Sequence, residues 1–521
     1  MLRLGIDVGG TNTDAVAMDG PRVLGKVKVT VTPDVTTGIT QALRSLLAQT
    51  AVHPAQISAV MIGTTHFTNA FVERKNLMPT AVCRIGLPAT TALPPMADWP
   101  ADLRASLGHH VYLLHGGHEF DGRLIHPLEP DEIRAVAAQI RARDLRTVAL
   151  SSVFSPVNSS HEEEAAAIMR AELPGVDVSL SHEIGRIGLL ERENAAIINA
   201  CLKDLARKIV GSFREAMAAL GILAPLYLTQ NDGTLMKAEY AERYPVLTFA
   251  SGPTNSMRGA CFLSGLKDGI VVDVGGTTTD VGALVKGFPR QASVVVEVGG
   301  VRTNFRMPDV YSLGLGGGSL VTQNPLRIGP QSVGYELTQR ALVFGGSTLT
   351  ATDVGVAAGL AEIGDAGKVA HLDRALVQAA LDRMQALFDA SIDRMKTSAD
   401  PVPVVLVGGG SILVARPIAG GSEILQPPHF EAANAIGAAI AQVSGEVDRV
   451  FSLERITRDQ ALAEASQEAI AQAIAAGARA ETIAIVDVED IPLTYLPGNA
   501  TRIHVKAVGD LDTSAADAGD K

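Results

Sequence analysis

Short runs rich in Val, Ile and Leu alternate along this chain with Ala-rich segments whose apolar residues recur at helical spacing. Residues 131–143 (DEIRAVAAQIRAR) open with acids and carry apolar residues every three or four positions, which predicts a helix. The run 145–151 (LRTVALS) reads as a buried strand, and long helices are expected over 190–220 and 371–398. Residues 84–104 are rich in Pro and Ala and read as a loop or insertion. Strands alternating with helices in this way mark an α/β fold. After Ser444 the character changes. A helix over 457–478 precedes two strand-like runs, TIAIVDVEDIPLTYL and TRIHVKAVGDL, and a polar tail, DTSAADAGDK, that is expected to lack order. Residues 445–521 therefore read as a small C-terminal α/β appendage.

One stretch recurs. Residues 6–18 read IDVGGTNTDAVAM, and residues 272–284 read VDVGGTTTDVGAL. Seven of the eight positions in DVGGTNTD and DVGGTTTD are identical. A repeat this widely spaced points to two homologous halves rather than a solenoid. Each copy predicts a strand ending in Asp, a tight Gly-Gly-Thr turn and a returning strand. Glycine lets a backbone approach a ligand closely, and successive turn amides form an anion-binding nest. Asp7 and Asp273 stand at the strand ends. Gly9, Gly10, Thr11 and Asn12 fill one turn, and Gly275, Gly276, Thr277 and Thr278 the other. Phosphate takes amide and hydroxyl donors, and Mg2+ takes carboxylates directly or through water. Two facing copies would hold ATP and Mg2+ from both sides, with Asp7 and Asp273 as the catalytic carboxylates. A lone VGGT could be no more than a hairpin turn, but a hairpin has no reason to repeat the Asp and Thr positions. A third glycine turn, Gly408, Gly409 and Gly410 in VVLVGGGSIL, follows a buried strand and suits contact with a base or ribose. The small-residue helix ANAIGAAIA at 433–441 suits close packing at a hinge.

Composition narrows the partners. At roughly 150 residues per domain, 521 residues suggest about three domains. With 44 basic against 56 acidic residues and no long basic run, nucleic acid and anionic membrane are not expected partners. The strand that begins at once in MLRLGIDVGG leaves no room for a signal peptide, and no apolar run reaches the ~18 residues of a membrane span. Cys83, Cys201 and Cys261 are scattered, as in a reducing cytoplasm.

In motif order the chain resembles the actin-like ATPase superfamily, and its GGTxTD turns resemble more narrowly the hydantoinase A/5-oxoprolinase family. GTTHFTNAFVERK (63–75), FSPVNSSHEEEAAAIMRAELPGVDVSLSHEIG (154–185), SGP (251–253), LGLGGGS (313–319) and TLTATD (348–353) agree with that family. The resemblance spans about residues 2–442. It implies two actin-like, ribonuclease H-like lobes, residues 1–190 and 191–444, with ATP in the cleft between them. It also implies ATP-dependent opening of a cyclic amide such as a hydantoin, N-methylhydantoin or 5-oxoproline, a second hydantoinase subunit as partner, and an oligomer. The chain departs from longer members: about 80 residues follow the core, VGYELTQRALVFGG replaces a stretch often carrying PGPACY, and TNSMRG replaces AGG after SGP. It therefore resembles a shorter subfamily.

Other residues admit two readings. Thr64, Thr65 and Asn69 suit phosphate or substrate contact, or a helix cap. Ser251, Gly252, Gly316 and Gly317 are candidates to line the acceptor site, and Arg258 to bind an anion or form a surface ion pair. His109, His110, His115 and His118 could bind zinc or iron, but they lie among turns without an HExxH pattern. Ser151 and Ser152 lack a GxSxG context. A small-molecule kinase of the same superfamily is the alternative function. The scattered cysteines argue against an iron–sulfur activator, and the short C-terminal segment against an Hsp70-like chaperone.

Overall fold

The computed structural model describes residues 1–30, 34–292, 295–454, 456–494 and 499–512. The polar tail expected to lack order falls, from 513 on, outside the described residues.

The two DVGGT copies each begin a sheet with one strand order. In the first sheet, Leu2–Val8, Asn12–Asp19 and Arg22–Thr30 form an antiparallel meander, Ile57–Thr64 pairs in parallel with Leu2–Val8, and Leu226–Thr229 in parallel with Ile57–Thr64. In the second, Gly269–Val274, Thr279–Val285 and Phe288–Pro289 form the meander, and Val402–Val407 and Gly421–Leu425 the parallel pair. The sequence repeat is thus a structural repeat.

Chain order and sheet membership diverge elsewhere. The expected division at 190 does not separate the sheets. Helix Leu189–Ala218 packs Ile197, Ile198, Leu202 and Phe213 against Leu4, Ile6 and Ile62 of the first sheet, and strands Leu226–Thr229 and Thr234–Lys237 join that sheet. A helix seals whichever sheet its apolar face meets, and this one meets the sheet that precedes it in the chain. Likewise, the segment expected as an appendage does not stand apart. Gln442–Ser452, Ala484–Pro492 and Ala500–Gly509 extend the first sheet to nine strands. Helix Arg458–Ala476 lays Ala461, Ala465, Ala469 and Ala473 over strands Gln442–Ser452 and Ala500–Gly509, in one hydrophobic cluster with Ala59, Met61, Tyr227 and Leu235 of the same sheet. The second body is therefore carried inside the first.

A third, four-stranded parallel sheet (Val111–His115, Ala81–Leu87, Thr147–Ser152, Asp177–Leu180) is inserted after Ile57–Thr64. Its fully buried Arg84 makes a two-point ion pair with Glu193 of helix Leu189–Ala218, at 2.7 and 2.5 Å, and Ser151 donates to the same carboxylate at 2.7 Å. Ser151 is therefore structural. Among the described residues no helix is long and apolar enough to cross a membrane.

Candidate functional site

Both hairpins turn in the same register. Asp7 pairs with Asp14 and Val8 with Thr13; Asp273 pairs with Asp280 and Val274 with Thr279. The Gly9 amide donates to Asn12 O at 3.0 Å, and the Gly275 amide to Thr278 O at 2.9 Å. The two turns face each other, with the Thr11 and Thr277 hydroxyls 3.4 Å apart.

Four carboxylates lie beneath them. Asp7 is buried and accepts from Asn255 Nδ2 at 3.4 Å and Asn434 Nδ2 at 3.0 Å. Its burial, with Asp14 alongside, pushes its pKa up to about 6. Asp14 accepts from Asn434 at 3.0 Å and pairs with Lys28 at 2.5 Å. Asp273 accepts from Ser256 Oγ at 2.5 Å, and desolvation raises its pKa. Asp280 is raised to about 6 by desolvation, while Ser312 donates to it. Asp7 and Asp273 each feel a carboxylate from the opposite hairpin, so the group is one electrostatic unit. A cation bound beside Asp7 and Asp273 would favour their charged forms.

The glycine elements close around the second hairpin. The Gly410 amide donates to Val274 O at 2.7 Å, and a side chain at Gly408 (φ +83°) would meet Asp273 Oδ1 at 2.2 Å. A short 3-10 turn, Ser411–Leu413, follows the three glycines. In the LGLGGGS loop, Gly317 and Gly318 amides donate to Gly275 O and Gly276 O at 3.1 and 2.7 Å, and a side chain at Gly316 would strike Thr277 N. Thr352 of TLTATD holds the Gly317 carbonyl. Gly316 and Gly317 thus support the second turn from behind.

Thr65 places its amide on Val8 O at 3.2 Å, and Ser251 donates to Thr64 O at 3.3 Å. Gly252 lies beside Thr65, so all four flank the first turn. Asn69 donates to Thr65 Oγ1 at 3.3 Å, and Thr64 pairs with His66 at 2.6 Å. Arg258 is neither an anion contact nor a surface ion pair. It is buried, donates to Gly287 O at 2.6 Å and stacks over Phe288, because its helix position faces the second sheet's edge. The histidines of 109–118 disperse: His118 stacks on His161, and His115 on His126 beside Glu132. Among the described residues no three His, Cys, Asp or Glu side chains come together as ligands of one ion. A cavity of about 1010 Å³ lies apart from the hairpins, and its wall includes Arg306, 2.6 Å from the Glu446 carboxylate. Asn255, Ser256, Asn434 and Lys28 escape sequence reasoning. The one signal for Asn255 and Ser256 is TNSM, polar residues inside a small-residue helix where AGG is usual, and neither Asn434 nor Lys28 has one.

Residues 3–173 match the family model described as the hydantoinase/oxoprolinase N-terminal region, and residues 192–365 match that described as hydantoinase/oxoprolinase. The chain belongs to the hydantoinase/oxoprolinase family. Among curated relatives, this family member is 30% identical over 416 residues to caprolactamase subunit alpha of Pseudomonas jessenii, covering 74% of this chain and 58% of that one. It is 25% identical over 387 residues to the acetophenone carboxylase gamma subunit of Aromatoleum aromaticum, covering 68% and 52%. The chain spans between about half and two thirds of the length of the curated relatives it matches. Its fold matches the ATP-dependent caprolactamase from Pseudomonas jessenii with a TM-score of 0.77 at 21% identity, over 98% of this chain and 88% of that one. It matches nucleotide-free acetone carboxylase with a TM-score of 0.70 at 17% identity, over the same shares. The fold is that of two actin-like lobes.

Proposed function

We propose that this chain is the ATP-using subunit of an enzyme that opens a cyclic amide, working beside a second hydantoinase subunit. The reading rests on one observation above the others: two phosphate-type turns of near-identical sequence face each other, their threonine hydroxyls 3.4 Å apart, over a set of carboxylates. The residues fit ATP and Mg2+. Side chains at Gly10 and Gly409 would meet nothing within 4 Å, and neither residue has a positive φ. Their lack of a side chain answers no packing need, which leaves open space against both turns. Mg2+ keeps most of its waters and takes one or two carboxylates, for which Asp7 and Asp273 are placed. Bound there, the ion would neutralise phosphate charge.

A lactam is a poor electrophile because nitrogen donates into its carbonyl. Transfer of the ATP γ-phosphoryl group to the amide oxygen forms an O–P bond, breaks the β,γ bridge and releases ADP. Water then adds to the carbon, the ring nitrogen leaves with a proton, and a second water at the same carbon displaces phosphate with the original amide oxygen. In this scheme Gly10, Thr11, Gly276 and Thr277 hold the phosphates by amide and hydroxyl donors, Gly408–Gly410 lie against the adenosine, and the Ser251–Gly252 and Gly316–Gly317 elements border the acceptor. The caprolactamase and acetone carboxylase neighbours are both ATP-dependent and named for carbonyl compounds, which supports the same use here.

With the companion subunit present, a five-membered lactam or imide is expected to stimulate phosphate release, and oxygen-18 in the amide carbonyl should appear in inorganic phosphate. Label found wholly in the ring-opened acid overturns the scheme, and a stable phosphorylated product would instead mark a kinase. Gly10→Val and Gly409→Val are expected to leave the melting temperature unchanged while weakening ATP binding by at least ~10-fold, from one displaced phosphate or sugar contact of about 1.4 kcal/mol or more. Isothermal titration checks this, and tight binding by both variants would move the nucleotide elsewhere.

A further inference from the structure

The helix Ser251–Ser264 carries two consecutive polar residues, both essentially inaccessible, that reach opposite hairpins. Asn255 Nδ2 donates to Asp7 Oδ1 at 3.4 Å and to Thr229 Oγ1 at 3.0 Å. Ser256 Oγ donates to Asp273 Oδ2 at 2.5 Å. Asn255 Oδ1 accepts nothing among the described residues, so the amide serves through its donors. Asp7's other oxygen is held at 3.0 Å by Asn434, whose amide also holds Asp14 at 3.0 Å.

Asn434 sits on helix Ala433–Ile440, which crosses Ser251–Ser264 at backbone contact. A side chain at Gly437 would lie 1.8 Å from Asn255 O, and one at Gly259 would lie 1.9 Å from Ala433 O. Only glycine allows that approach. The crossing therefore fixes the two asparagines relative to each other, one on each oxygen of Asp7. Ser256, the next residue along, extends the same rigid unit to the opposite hairpin.

We infer that Asn255, Ser256 and Asn434 are positioning residues that hold Asp7 and Asp273 at one separation across the cleft, so that the divalent ion is bound only when both hairpins are docked on this helix pair. One peptide unit separates the anchors of the two aspartates. A rotation of one hairpin away from the other must break the bond to Asn255 or the bond to Ser256. The inference rests on the ATP reading above and concerns how that site is assembled.

The test is Mn2+ binding in the presence of ADP, followed by its electron paramagnetic resonance signal, alongside the Mg2+ dependence of phosphate release. Ser256→Ala should raise the half-saturating concentration of either ion by ~10-fold or more, the loss expected for a hydrogen bond to a charged group, and lower kcat while changing the KM for ATP little. Ser256→Thr keeps the hydroxyl and should restore ion binding. Asn255→Ala, which leaves the main-chain contact with Gly437 in place, should weaken ion binding as Ser256→Ala does, and supplies the measurement if Ser256→Ala does not fold. Unchanged ion binding in Ser256→Ala or Asn255→Ala, or Ser256→Thr as weak as Ser256→Ala, overturns the positioning role. Wild-type protein that binds neither Mn2+ nor nucleotide overturns both this inference and the ATP reading. Serine-dependent Mn2+ binding without lactam-stimulated turnover overturns only the functional reading.

Discussion

Asp7→Asn is expected to cut ATP turnover by about 10³-fold or more while making the nucleotide-free protein more stable. The loss follows from phosphoryl transfer depending on charge neutralisation and position, for which a neutral amide cannot substitute. The gain follows from the cost of keeping Asp7 charged. Its pKa moves from the ordinary 3.8 to about 6. Such a group destabilises the folded state fully above about pH 6, less as the pH falls and the folded protein takes up a proton, and not at all once the unfolded chain is protonated too, below 3.8. At ~1.4 kcal/mol per pKa unit the relief from removing the charge is at most about 3 kcal/mol, or a rise of a few degrees in melting temperature. The wild-type melting temperature should climb as pH drops from 7 toward 4.5, and that of the Asp7→Asn variant should climb less. A variant with wild-type turnover at ordinary Mg2+ removes Asp7 from the site.

Gly437→Ala is expected to be the most damaging single methyl group in the protein. The new carbon would fall 1.8 Å from Asn255 O, 2.7 Å from its carbonyl carbon and 2.9 Å from Gly259 N. All three are backbone atoms of a buried helix, so no side chain can swing aside. The two helices must part, at a cost of about 3 kcal/mol or more, the upper end for overpacking. Because Asn255 and Asn434 ride on those helices, nucleotide binding should fail with stability. Gly211→Ala is the control: it lies in helix Leu189–Ala218 with nothing within 4 Å, and should stabilise by about 0.5–1 kcal/mol. Urea midpoints for the two variants measure the contrast, and equal midpoints would refute the close crossing.

Local features of the site were legible in the sequence because they depend on neighbours along the chain. The octets DVGGTNTD and DVGGTTTD specify strand, turn and strand, and the hairpins form with identical pairing. That the turns face each other was also legible, since a repeat that keeps its Asp and Thr positions has no purpose on separate surfaces. Sheet membership was not. The pattern of helix Leu189–Ala218 says that it buries most of its circumference, but not that the first sheet rather than the second is its partner. Arg258, Asn255 and Ser256 sit within four residues of each other, yet the first faces the sheet edge and the other two face the carboxylates. Asn255 and Ser256 point about a hundred degrees apart and so reach opposite hairpins, and no motif records the rotation of a helix against its neighbours.

The return of residues 442–509 to the first sheet bears on how the protein is made. Synthesis runs from the N-terminus, so the hairpin around Gly9–Thr11 and the strands beside it emerge early. Strand Thr234–Lys237 nevertheless stays unpaired on its outer edge until Gln442–Ser452 arrives, and that strand and Ala500–Gly509 are covered in turn by the alanine face of Arg458–Ala476. The body that carries the second hairpin can close while still attached to the ribosome, because all its strands lie between 269 and 425. The body that begins first therefore finishes last, and a nascent chain stalled before residue 442 would present an apolar, unpaired sheet edge to chaperones and proteases.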